Sequence, residues 1–211
     1  MNTTLLHRLW HWLTALTVLG LVGTFFLRKT FLSWRTNSRV IEEGLTAEGV
    51  EITAGLAKTL AKTIRAPMWE WHYYLGFALV VLLAFRLLLF LFFDDRQVVR
   101  SSLFGSQFRT LRSNATKHSA ELAAGIHRAR VYTLYLVVFG VLFFMSASGV
   151  LLCFDDSLGL SRELVESTKE AHEWVAWLAS LFIPLHIVGV VFAELRVEPG
   201  IVSKMIGGSK E

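Results

Sequence analysis

Residues 171–193 read AHEWVAWLASLFIPLHIVGVVFA. From Trp174 to Ala193 this run contains no Lys, Arg, Asp or Glu. It reaches the roughly 20 residues that an α-helix needs to cross a hydrocarbon core of about 30 Å. Trp174 and Trp177 open it, as expected where an apolar ring with a polar N–H meets the membrane–water interface. Two histidines, His172 and His186, bracket the run, and a histidine at membrane depth is costly enough to be a functional candidate. They are 14 residues apart. On a helix this is roughly 21 Å of rise, and the second ring returns to within roughly 40° of the first. Both imidazoles therefore share a face, each toward a different membrane surface. Pro184 is expected to kink the helix just before His186.

Three more stretches have the same character: Leu9–Leu27, Leu75–Phe93 and Val131–Phe154. Only the second contains a charged residue, Arg86. Trp10 and Trp12 stand at the start of the first, and Trp69 and Trp71 precede the second, which supports the same interfacial reading. The 211 residues are 54% hydrophobic, with a mean hydropathy of +0.50. A soluble domain is nearer 45–50% apolar. The predicted fold is all-α, an integral membrane four-helix bundle forming a single domain over residues 1–211. The first span lacks a multiply charged leader and a small-x-small cleavage site, so it reads as retained, not as a cleaved signal. The single cysteine, Cys153, cannot form an internal disulfide and matches no metal motif, which leaves packing. The net charge of +4 sits mostly in the loops and suits anionic lipid head groups, with no nucleic-acid partner implied.

Four spans put both termini on one side of the membrane. The N-terminal segment, second loop and C-terminal tail carry eleven Lys or Arg, against nine in the first and third loops. The positive-inside rule then leans toward internal termini. The first loop, 28–66, is long for a connector and is expected to hold short helices. Asn37 or Ser38 can cap one that stops at Gly44, and Thr53 another that runs to Arg65 and is broken off by Pro67. In the latter, Leu56, Leu60 and Ile64 share one face, while Lys58, Lys62 and Arg65 occupy another. Such an amphipathic helix suits a membrane surface, either as a lid on the bundle or as a docking surface. The second loop, 94–130, is polar.

Of seven histidines, four lie at span ends: His11, His72, His172 and His186. Following the chain through four spans, His11 comes level with His186, and His72 with His172, near the opposite surface. Facing imidazoles from different helices are what a haem iron with two axial histidines requires, and bundle interiors build such sites. The pattern predicts two b haems, one toward each surface. His7 is a rival to His11 one turn earlier, but it precedes the apolar run. His118 and His127 fall in the polar second loop and carry no assigned role. Arg86, 14 residues after His72, comes near the level of His186. A buried arginine needs an anion; haem propionates would supply one, with snorkelling to head groups as the other reading. Gly76 and Gly189, one turn after histidines, and Gly20, Gly23, Gly140 and Gly149 suit either a close macrocycle or ordinary helix packing.

The chain resembles the bacterial cytochrome b561 and nickel-iron hydrogenase b-type cytochrome family. The residues that carry the likeness are Arg8-Leu9-Trp10-His11-Trp12, the stretch from His72 through Gly76 to Arg86, His172 with His186, and the tail Pro199–Ile206. It extends over nearly the whole chain, apart from the longer first loop. The resemblance implies a four-helix bundle, two b haems on the pairs named above, and electron exchange with membrane quinone. It also implies a bacterial inner-membrane location with cytoplasmic termini. Three functions remain open at this stage. The first is electron transfer between quinone and a periplasmic redox protein or enzyme subunit. The second is a stand-alone superoxide:quinone oxidoreductase, for which the basic patch of the first loop can attract an anion. The third, of another class, is a haem-free transporter or metal-binding protein using the same histidines.

Overall fold

The computed structural model describes residues 5–92, 118–196 and 199–208. Six helices run through them: α1 (Leu5–Lys29), α2 (Trp34–Ala47), α3 (Ala54–Phe92), α4 (His118–Cys153), α5 (Arg162–Arg196) and α6 (Ile201–Gly207). No strand occurs among the described residues. Four of the helices, α1, α3, α4 and α5, are long and apolar enough to cross a membrane. They form the expected all-α bundle, with α1 packed on α3, α3 on α4, α4 on α5, and α5 closing onto α1.

The exterior of the bundle is apolar. Leu16, Leu178 and Val188 are more than 60% exposed, whereas buried positions include the hydroxyl residues Thr14, Thr17, Thr24 and Ser148. This inverts the soluble pattern, as lipid requires. Hydrocarbon chains solvate leucine, and the polar groups turn inward to find partners. Gly20 serves helix packing: a Cβ there would lie 2.8 Å from Leu75 Cδ1, so α1 and α3 approach closely at that level.

The first loop departs from expectation in two ways. Its first helix starts at Trp34, with Ser33 as the N-cap residue, and runs through Gly44 to Ala47. Gly44 costs about 1 kcal/mol relative to alanine within a helix, which is too little to stop it. The stop comes at Gly49, with φ of +78°. There the Val50 N–H donates to Leu45 O and the Gly49 N–H to Thr46 O, the bond pair of a Schellman cap. Second, Thr53 does cap, its Oγ1 accepting from the Leu56 N–H at 3.2 Å, but the helix does not end at Pro67. It continues unbroken into the span as the 39-residue α3. A proline removes one N–H and crowds one carbonyl, a local loss that the packed helix carries. Leu56, Leu60 and Ile64 are exposed, as a lipid-facing side would be, and Ala57 and Ala61 are fully buried, in the part of α3 alongside which α2 packs. Small side chains let two backbones approach.

At 39 residues α3 is about 58 Å long, nearly twice the hydrocarbon thickness. Its N-terminal part exceeds what a span requires and forms a helical hairpin with α2 on the His72 side. In the second loop, residues 118–130 are helical, the first part of α4, and not irregular chain; positions 94–117 lie outside the described residues. α5 passes through Pro184 without interruption.

Candidate functional site

At the end where α1 begins, His11 on α1 faces His186 on α5, with ring centroids 6.4 Å apart. Aromatic neighbours hold both rings. His186 stacks on Phe182, one turn earlier, at 5.5 Å, and His11 meets Trp12 edge-to-face. His7 lies one turn before His11 with its ring against Trp10. The C-terminal segment closes this end. The Glu194 carboxylate accepts the Gly200 and Val202 N–H groups, each at 2.9 Å, and Gly200 adopts a φ of +89° that favours glycine. The chain thereby turns back, and Trp12 Nε1 donates to Met205 O on α6 at 3.1 Å. The tail Pro199–Ile206 therefore has a structural role, as a clasp across the ends of α1 and α5.

Arg86 stands at the same end. Its Nε donates to Tyr135 Oη at 3.1 Å, and its guanidinium carbon lies 5.7 Å from the Trp10 ring. Trp10 is itself fixed, donating to Leu82 O at 2.8 Å. The half-buried arginine is thus held near the His11 level by one phenol and one indole.

At the opposite end, His72 on α3 and His172 on α5 line one cavity of about 520 Å³ between α1, α3, α4 and α5. Each imidazole is tethered through Nδ1 by a hydroxyl from a different helix: Thr24 Oγ1 lies 2.8 Å from His72 Nδ1, and Ser148 Oγ lies 2.8 Å from His172 Nδ1. The Trp69 indole stacks flat on His72, centroids 4.6 Å apart, and the Arg28 guanidinium sits 4.5 Å over the same indole. Lys29 pairs with Glu173 and so ties α1 to α5 at this level. The cavity is also lined by Arg28, Lys62, Arg65 and Lys169, against the carboxylates of Asp155 and Glu173. Four cations against two acids leave an electropositive wall. Lys62, Arg65 and Ala66 belong to the N-terminal part of α3, so the first loop does reach over this end. Lys58 does not contribute; its ammonium lies over the Trp34 ring at 4.8 Å.

Both ends suit a flat, metal-centred, acid-bearing cofactor. Two metal–imidazole bonds of about 2 Å, with roughly 1 Å from each nitrogen to its ring centroid, span roughly 6 Å. The His11–His186 separation of 6.4 Å matches that span and is too long for a direct hydrogen-bonded pair. The His72–His172 cavity falls within the 300–1,000 Å³ of cofactor pockets and has their mix of apolar lining and a few polar groups. Gly76 lines it, with open space where a Cβ would be. Gly149 faces His172, whose Cε1 would be 3.5 Å from an added Cβ. Each end also has a buried hydroxyl oxygen without a protein partner: Thr14 Oγ1 one turn after His11, and Ser146 Oγ in the cavity wall. Arg8 Nε is buried without a protein hydrogen-bond partner as well.

The structure brings the four sequence-selected histidines into the two expected pairs. It adds Thr24, Ser148, Trp69, Arg28 and Lys169, which the sequence reading passed over. Trp69 was legible, lying three residues before His72 on one helix and hence on its face. Lys169 stands three residues before His172 on α5 in the same way, whereas Thr24, Ser148 and Arg28 reach their partners across helices, and spacing carries no sign of those three.

The model of one protein family, prokaryotic cytochrome b561, matches residues 2–208. No curated protein and no solved structure matches the chain. With four apolar membrane-length helices and imidazoles paired inside them, the chain belongs to the prokaryotic cytochrome b561 family, as a b-haem protein of a bacterial membrane that carries electrons.

Proposed function

We propose that the chain binds two b haems and carries electrons across the bacterial inner membrane, between membrane quinone and a periplasmic redox protein or enzyme subunit. His11 with His186 would hold one haem and His72 with His172 the other. The observation that carries this is the pairing itself: a 6.4 Å His11–His186 separation at one end and two histidines lining a cofactor-sized cavity at the other. When bound, haem iron supplies a one-electron couple tuned by its axial ligands and surroundings.

The chain's own residues have separable tasks. The four imidazoles present nitrogen ligands from α1, α3 and α5. Apolar walls exclude water. The cations Arg28, Lys62, Arg65 and Lys169 can neutralise propionates at the cavity mouth, and Arg86 can do so at the other end. Roughly 21 Å of helix rise separates His172 from His186, so the two sites serve opposite surfaces. The N-in orientation, with the first loop periplasmic, agrees with the greater Lys and Arg count of the N-terminal, second-loop and tail segments. A haem-free transport function has less support, since a cavity of cofactor size lined by two histidines speaks for a resident cofactor.

The purified chain is expected to carry about two haems with the reduced bands of bis-histidine b haem, and to be reduced by a quinol in lipid nanodiscs. A content of one or none in folded protein would overturn the dihaem reading. The cationic cavity wall favours a second reading, in which superoxide gives up one electron and leaves as O₂, and two such electrons with two protons reduce quinone to quinol. Rapid reduction by superoxide, absent with neutral donors of similar potential, would select it.

A further inference from the structure

We propose that Thr24 and Ser148 are a matched pair of positioning hydroxyls: they hold His72 and His172 as Nδ1–H tautomers, so that both Nε2 lone pairs are free toward the cavity. This rests on the reading that these two histidines are haem ligands, and it goes further by fixing which nitrogen ligates and what tunes its strength.

The number of available protons fixes the direction of each contact. A hydroxyl has one hydrogen to donate and lone pairs to accept with. Thr24 Oγ1 lies 2.8 Å from Leu21 O as well as 2.8 Å from His72 Nδ1. Ser148 Oγ lies 2.6 Å from Phe144 O as well as 2.8 Å from His172 Nδ1. A backbone carbonyl can only accept. At 2.6–2.8 Å, two oxygens without a proton between them repel, so each hydroxyl hydrogen is committed to its own helix. The hydroxyl oxygen then meets the imidazole as an acceptor, and Nδ1 must bring the proton. A neutral imidazole carries one proton, so Nε2 is left bare. The same solution occurs twice, on different helices, with different residue types, around one cavity. Thr24 and Ser148 are both buried, so water does not compete for these contacts. Among the described residues, no such hydroxyl contact is made by His11 or His186, whose rings rest on aromatic neighbours instead.

The chain N–H to O–H to O=C has a direction. Donating to the carbonyl polarises the hydroxyl and strengthens it as an acceptor. A stronger acceptor on Nδ1–H raises the basicity of Nε2, which favours the oxidised metal. Both hydroxyls therefore hold the potential of the His72/His172 haem down and fix the ring planes, an adjustment that the other haem lacks.

The test uses the purified holoprotein with Thr24→Val, Ser148→Ala and the conservative Thr24→Ser. Three measurements are made: the potential of each haem by spectroelectrochemical titration, electron paramagnetic resonance of the oxidised haems, and haem retention against an apoprotein scavenger. Thr24→Val and Ser148→Ala are each expected to raise the potential of one haem and to change its resonance. They should also weaken its retention by roughly tenfold or more, as loss of a ligand's hydrogen-bond partner does. The second haem should not move, and Thr24→Ser should behave as wild type. If Thr24→Val does not fold, Ser148→Ala and Thr24→Ser carry the same comparison. Unchanged potential and resonance in Ser148→Ala, in protein whose His172→Ala counterpart loses one haem, would overturn the inference and leave the ligand assignment standing. Retention of two haems in His72→Ala and His172→Ala would overturn both.

Discussion

Replacing Arg86 with leucine separates two accounts of a cation at membrane depth. Its guanidinium lies 5.7 Å from the Trp10 ring, and Trp10 and His11 are neighbours on α1, so a metal held between His11 and His186 would be on the order of one helix diameter, about 10 Å, away. At an effective dielectric constant near 20, a unit charge at about 10 Å contributes about 1.7 kcal/mol, or about 70 mV for one electron. The other pair is roughly 20 Å distant along the helices, which halves the effect to about 35 mV. Arg86→Leu removes a positive charge that opposes the oxidised metal. Both potentials should therefore fall, the His11/His186 one about twice as far. The Tyr135 hydroxyl loses its partner in the same variant, so Arg86→Lys serves as the charge-preserving control and should restore most of the shift. Redox titration with the two haems resolved by their optical bands measures this directly. Equal shifts, or none, would refute the placement of this charge beside the His11 site and favour a guanidinium that snorkels to the head groups.

Further outcomes follow from the same geometry. His72→Leu or His172→Leu should leave one haem per chain, and so should His11→Leu or His186→Leu, with the surviving optical band differing between the two sets; pyridine haemochrome analysis gives the count. Lys62→Glu should slow reduction by an anionic donor severalfold at low salt and little at high salt, because it reverses a charge on the cavity wall. Lys58→Gln should not, since that ammonium is engaged with Trp34; stopped-flow reduction at several ionic strengths compares them. Gly20→Val should destabilise the bundle by roughly 1–3 kcal/mol through overpacking, because even a Cβ would meet Leu75 at 2.8 Å. Gly20→Ala should cost less, as the end of a leucine can turn aside; thermal loss of the haem band reads both. Glu194→Ala should release α6 from its two backbone N–H partners and speed tryptic cleavage after Arg196.

The spans and the histidine pairing were legible because both obey a single-helix period. Apolar length announces a crossing, and 14 residues bring His172 and His186 onto one face whatever surrounds them. Boundaries were less legible where packing outweighed local signals. Pro67 and Gly44 are ordinary breakers, yet each helix runs on: a glycine costs only about 1 kcal/mol, and the roughly 3 kcal/mol of an interior proline is carried by a 39-residue helix that packs on α1, α2 and α4. The face of α3 that packs on α2 was not legible: Leu56, Leu60 and Ile64 are left exposed, as a lipid-facing side would be, and close helix approach selects the smallest side chains, Ala57 and Ala61. Thr24 and Ser148 were invisible for a different reason. A hydroxyl in a membrane helix ordinarily bonds its own backbone, and both of these do. Only the three-dimensional meeting with a second helix makes the same oxygen an acceptor for an imidazole.

The two ends of the bundle are built to different purposes. Around His11 and His186, aromatic rings, the Trp12–Met205 bond and the Glu194 clasp draw the C-terminal helix across the opening, and the nearby cation is held by Tyr135 and Trp10. Around His72 and His172, polar tethers replace the aromatic cage on the histidine nitrogens, and the wall is cationic and shared with the hairpin of α2 and α3. An end ringed by aromatic side chains suits a partner that arrives through the lipid. A cationic end, flanked by that hairpin, suits one that arrives through water and carries negative charge. This difference follows from α3 itself: the continuous helix that carries His72 also carries Lys62 and Arg65, so the residues that would hold the cofactor and those that would meet a partner stand on one element.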